Sequence, residues 1–136
     1  MTLHLEVVSP DGRVFTDDVD MVVVPGIEGE LGILPHHTPL VTALGTGELR
    51  IRNAGTVQYM LISGGFVEVR PDKVVVMAFV AEHSDEIDAA AAAEARRQAE
   101  AEVEAVHDPV DLARVRAALQ TAIVRERIAT RRRHRS

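Results

Sequence analysis

The 136-residue chain contains no cysteine. That absence excludes a disulfide framework, a thiol nucleophile and a thiolate metal centre. Aromatic residues are scarce, with one tyrosine and three phenylalanines, so there is little to stack on nucleic-acid bases. Long hydrophobic runs are missing too. The longest, VVVMAFVA at 74–81, falls far short of the about 20 apolar residues that a membrane-crossing helix needs. The opening MTLHLEVVSPDG has no basic n-region and alternates apolar with polar, so it reads as a strand and not as a signal peptide. A soluble protein is the expectation. Lysine is nearly absent, with one lysine beside fourteen arginines.

What is present divides the chain in two. The formal net charge is −6, unevenly spread. Residues 1–83 hold 5 basic and 11 acidic side chains, residues 84–108 hold 2 and 8, and residues 109–136 hold 8 and 2. Two adjacent C-terminal segments are therefore strongly acidic and strongly basic in turn. Up to residue 83 the signals are short β-branched runs separated by turn residues. SPDG supplies a proline that pre-sets φ and a glycine that accepts positive φ. NAG at 53–55 reads as a hairpin loop, and RPDK at 70–73 separates two further strands. Many short strands of this kind indicate an all-β sandwich or barrel.

After His83 the period changes. SDEIDAAAAAEARRQAEAEVEAV is rich in alanine, glutamate and arginine, the strong helix formers. Ser84 or Asp85 can cap this helix, with acidic residues in its first turn. Asp108 and Pro109 start a second helix, whose Leu112, Val115, Leu119, Ile123 and Ile128 form an apolar stripe. A short connection between two such helices predicts an antiparallel hairpin. Its contact face is largely alanine, which buries little area, and surface ion pairs add only about 0–1 kcal/mol each. A weakly held hairpin, able to open, is the expectation.

Candidate chemistry is thin. GIEGELGILPHHTPL at 26–40 carries three glycines, two prolines and the pair His36-His37. Those histidines lack a third ligand at a useful spacing. The glycines lack the Gly-Lys-Ser/Thr ending of a phosphate loop, and Glu28 and Glu30 repel phosphate. SGG at 63–65 reads as an oxyanion loop or, more simply, as a bulge where a sandwich bends. The stretch 26–40 is then a shaped surface for a partner. The alternative is a free-standing β-sandwich binding module with a helical oligomerisation tail, carrying a small-molecule pocket.

GIEGELGILPHHTPL, LGTGELRI, SGGFVEV and EIDAAAA…EARRQAEAE, in that order and spacing, resemble the epsilon subunit of the bacterial F-type ATP synthase over essentially the whole chain. The resemblance implies a β-sandwich of about ten strands at 1–83 and a C-terminal antiparallel α-helical hairpin at 84–136. It implies a non-catalytic rotor subunit on the central stalk, monomeric alone, without nucleic acid and without insertion into the membrane. It also implies a peripheral position on the cytoplasmic side of the inner membrane and a part in coupling proton flow to ATP synthesis. The implied partners are the gamma subunit, the c-ring and the catalytic β subunits. Glu28, Gly29 and Glu30, with His37 and Thr38, are expected at the c-ring. Arg114, Arg116, Arg125 and Arg127, with the terminal arginines, are expected to inhibit hydrolysis once the hairpin extends. No cofactor is expected, beyond weak ATP binding at the hairpin through Glu82, Asp88 and Arg116. In the family's ATP motif an arginine stands where this chain has Ala91. That substitution removes a charge-assisted bond worth roughly 1.5–3 kcal/mol.

Overall fold

A computed structural model describes the backbone of residues 2–135 and the side chains of residues 2–131. Eight strands come first: β1 (Leu3–Ser9), β2 (Gly12–Val19), β3 (Met21–Gly26), β4 (Gly29–Ile33), β5 (Leu40–Ala43), β6 (Thr46–Asn53), β7 (Thr56–Val69) and β8 (Lys73–His83). A 3-10 turn at Ser84–Glu86 leads to α1 (Ala89–Ala105) and α2 (Pro109–Arg135). Contacts divide the chain into two compact units, Met1–His83 and Ser84–Ser136.

Two long strands explain how eight strands make a sandwich. The first half of β7 pairs with β6, from Thr56↔Asn53 to Ser63↔Thr46. Its second half pairs with β5, from Phe66↔Ala43 to Val69↔Leu40. β8 follows β7 throughout and lies parallel to β1 over Lys73 to Met77. One layer is therefore β2, β1, the start of β8, the end of β7 and β5. The other is the end of β8, the start of β7, β6, β3 and β4. Counting the halves of β7 and β8 separately turns eight strands into about ten, as the resemblance implies.

The fold from one layer to the other occurs at Ser63-Gly64-Gly65. Gly64 and Gly65 have φ of 70° and 111°, values that glycine adopts without steric cost. A Cβ on Gly65 would lie 1.9 Å from the Met77 carbonyl oxygen, so no side chain fits. The inward face also changes parity here: Met60 and Ile62 point into the core before the bend, Val67 and Val69 after it. Sandwich alternation is clean elsewhere. Leu3, Leu5 and Val7 of β1 are buried while His4 and Glu6 between them are not. Val22, Val24, Ile33, Leu49, Ile51, Val74 and Val76 complete a core drawn from both layers.

In the helical unit the capping residue differs from expectation. The cap of α1 is Asp88, whose Oδ1 accepts from the Ala91 N–H at 3.0 Å. Ser84 and Asp85 belong to the separate 3-10 turn before it. Asp108 caps α2, accepting from the N–H groups of Val110 and Asp111 at 2.9 and 3.1 Å. The buried residues of α1 are Ala92 and Ala99. On α2, Val115, Ala122 and Ala129 recur at the same seven-residue spacing and are also buried. An ion pair from Arg96 on α1 to Glu126 on α2 marks the antiparallel register. Of the expected stripe only Val115 and Ile128 are fully buried, with Leu112, Leu119 and Ile123 half-buried. Small residues take the seam because they let two helices approach closely.

Candidate functional site

The stretch at 26–40 is not one loop. Gly26 and Gly29 form the closing pair of the β3–β4 hairpin, with Ile27 and Glu28 at its tip. A Cβ on Gly26 would meet the Gly29 carbonyl oxygen at 2.7 Å, and Gly29 has φ of 132°. Both glycines are thus needed for so tight a reversal. The tip is anchored to the end of β5: the Ile27 N–H donates to the Ala43 carbonyl at 3.0 Å, and the Gly45 N–H to the Pro25 carbonyl at 2.9 Å. Glu28, Gly29 and Glu30 are exposed on this fixed support. Glu30 accepts from the Arg50 guanidinium at 3.0 Å, across the intervening β3.

His37 and Thr38 are elsewhere. They lie in the connection from β4 to β5, beyond Ile33, which pairs with Val22 at the far end of the hairpin from Gly29. At about 3.4 Å per residue, β4 sets the two groups more than 10 Å apart. The His36 N–H donates to the Pro71 carbonyl at 2.6 Å, fixing this connection to the β7–β8 turn, and His36 has φ of 67°. His37 uses Nδ1 to donate to the Thr38 carbonyl at 2.7 Å. The five residues expected at one contact thus form two groups at opposite ends of a strand pair. Among the described residues no three His, Asp or Glu side chains gather in a way that could hold a metal ion.

A surface that sequence reasoning missed lies on the outer face of the β5 layer. Val41, Phe66, Met77 and Phe79 are all exposed, Phe79 at 68% and Val41 at 65%. Phe66 pairs with both Ala43 and Met77, and Phe79 lies over Gly64, whose missing side chain makes room for its ring. The signal was present in FVEV: Phe66 shares the outward phase of Glu68 while Val67 and Val69 point inward. Contiguous exposed apolar side chains of this kind are the usual material of interaction surfaces.

On α2, Arg114, Arg116 and Arg127 are exposed and Arg125 is half-buried. At about 3.6 residues per turn, Arg114 aligns with Arg125 and Arg116 with Arg127, on nearly opposite sides. The four therefore make two cationic stripes and not one face. The side chains of the terminal Arg132, Arg133 and Arg135 lie outside the described residues. Asp88 caps the start of α1, and Arg116 lies about two turns into α2, toward the connecting end, so the helix lengths set the two roughly 15 Å apart along the hairpin. Glu82 pairs with Leu61 near the end of β8. Gln120, one turn beyond Arg116, is exposed and uncharged. Arg96 is clamped by Glu126 and Glu100, and these hydrogen bonds raise its pKa. Arg97 holds Glu94 at 2.7 Å and lowers the Glu94 pKa below the ordinary value of 4.5.

Known proteins resolve what such a pair of units is. Residues 2–84 match the family described as ATP synthase, Delta/Epsilon chain, beta-sandwich domain. The ATP synthase epsilon chain of Dehalococcoides mccartyi is 51% identical over 133 residues, covering 96% of this chain and 94% of that protein. This chain belongs to the ATP synthase epsilon-chain family. The epsilon chain of Halalkalibacterium halodurans is 46% identical over 131 residues, covering 96% of this chain and 98% of its own. The similarity to epsilon chains thus runs through the helical hairpin as well as the sandwich. In the cryo-EM structure of the Euglena gracilis mitochondrial ATP synthase, OSCP/F1/c-ring, one chain superposes with a TM-score of 0.82 at 26% identity, covering 93% of this chain and 80% of that one. Epsilon chains are non-catalytic central-stalk subunits of the ATP synthase. The described residues include no helix long and apolar enough to cross a membrane.

Proposed function

We propose that this epsilon chain is a rotor subunit coupling proton translocation to ATP synthesis, with a hairpin that restrains ATP hydrolysis. The observation that carries the second half is the alanine seam between α1 and α2. A hairpin in which α1 buries only two alanines, with a partly exposed ion pair across it, parts at low cost. On separation α2 carries the stripes of Arg114 with Arg125 and of Arg116 with Arg127 toward acidic surface on the catalytic β subunits.

The sandwich supplies the fixed contacts. The apolar cluster of Val41, Phe66, Met77 and Phe79 is the surface for the gamma subunit, because its burial returns the free energy that exposure withholds. The rigid tip at Glu28, Gly29 and Glu30 faces the c-ring and presents carboxylate to basic or polar loops. His37 and Thr38, at the other end of β4, join a different contact of the stalk. The subunit is peripheral on the cytoplasmic side of the inner membrane, and monomeric until it meets gamma. It needs no cofactor. ATP binding at the hairpin is weak because Asp88 lacks a neighbouring Arg116, and a calorimetric titration that finds tight binding would overturn this.

The decisive assay is ATP hydrolysis by the parent complex, reconstituted with the full chain or with a chain ending at His83. Faster hydrolysis with the shorter chain is expected. Equal rates would contradict the restraining role while leaving the coupling role intact.

A further inference from the structure

The outer face of the second layer holds a groove of about 400 Å³ lined by Met21, Val23, Arg50, Arg52, Val57 and Tyr59. Strand register explains its makeup. Met21, Arg52 and Val57 stand in one cross-strand row over β3, β6 and β7, and Val23, Arg50 and Tyr59 in the next. In each row a guanidinium is flanked by apolar or aromatic side chains. Arg50 is engaged by Glu30 at 3.0 Å, whereas Arg52 has no carboxylate within salt-bridge distance among the described residues. The nearby Asp20 directs Oδ2 to the Ala54 N–H at 2.9 Å.

We propose that this groove binds a small organic anion: a flat apolar body bearing one carboxylate, sulfonate or phosphate. The volume falls within the usual range for small-molecule sites, which pair apolar walls with a few convergent polar groups. Met21, Val23 and Val57 receive the flat body, with Tyr59 beside it. Arg52 pairs with the anion, since a planar guanidinium fork matches a carboxylate or phosphate. Arg50 joins when the anion displaces Glu30. Occupancy would then release the Glu30 carboxylate at the hairpin tip, linking the groove to the surface proposed above for the c-ring. The binding site itself does not depend on that assignment.

The test is an amide NMR titration of the full chain with naphthoate, and with the neutral naphthyl methanol as control. Naphthoate is expected to give saturable shifts at Met21, Val23, Arg52, Val57 and Tyr59. The neutral analogue is expected to bind far more weakly. Arg52→Gln, at an exposed position that leaves the fold intact, is expected to weaken naphthoate about tenfold, the loss of one charge-assisted contact. Glu30→Gln, which releases Arg50, is expected to strengthen it. Unchanged affinity in Arg52→Gln overturns the proposal, as do shifts gathered at Phe66 and Phe79 instead of the groove.

Discussion

In the sandwich, fully buried Leu5, Ile33, Leu49, Ile51 and Ile62 meet valines drawn from both layers, whereas in the helical hairpin α1 buries only Ala92 and Ala99, and α2 buries Val115, Ala122, Val124, Ile128 and Ala129. Burying a leucine or isoleucine contributes about 1.5–3 kcal/mol, while one methyl contributes about 0.8 kcal/mol. The seam gains close approach and loses holding power. The ion pair of Arg96 with Glu126 across the seam is partly exposed and adds little. α2 also packs on the Ser84–Glu86 turn, so the helical unit stays folded without a large core of its own. One half of the molecule is a platform fixed by its interior. The other is a helical hairpin with fewer large buried side chains to hold it.

Substitutions that strike each half should separate them. Gly65→Ala is expected to have the largest effect, above about 3 kcal/mol, because overpacking and an incompatible φ act together. Its Cβ would collide with the Met77 carbonyl and distort the bend that joins the layers. A denaturant midpoint within error of the parent would contradict that account of the bend. Next, Ile62→Ala should cost about 2–5 kcal/mol, and Val115→Ala in the seam only about 1–2 kcal/mol. If the two losses were equal in chemical denaturation, the contrast between the halves would fail. Smallest is the effect of pH on α1. Arg97 depresses the Glu94 pKa in the folded helix, so this contribution is present above the ordinary value near 4.5 and is lost as pH falls through the depressed one. Glu94→Gln should flatten the helix content measured by circular dichroism across that acidic window. An unchanged acid limb would show that the pair contributes nothing.

Much of this was legible in the residues. Turn chemistry placed SPDG, NAG and RPDK between the strands they join, alternation found β1, and short β-branched runs found others. Alanine and glutamate content revealed the first helix, Asp108-Pro109 and an apolar stripe the second, and the double glycine the bend. β4 was hidden because Gly29 and Gly32 dilute its strand propensity, so GELGI reads as loop until its pairing with β3 is seen. That pairing is also what separates Glu28 from His37, a distance that linear spacing does not carry. Asp88 displaced Ser84 and Asp85 as the cap because the chain first turns once as a 3-10 segment, a choice set by tertiary contacts. The exposed Phe66 could have been read from its phase with Glu68. The pairing of Arg50 with Glu30 could not, since it crosses β3 between residues twenty apart.

Native-state hydrogen exchange on the isolated chain tests the central contrast most directly. Amides of α1 and α2 are expected to exchange through openings of clearly lower free energy than amides of β1, β7 and β8, with the helices opening while the strands remain protected. Exchange of helices and strands at a single common free energy would make the chain one cooperative unit, and would contradict an arm that opens from a fixed platform.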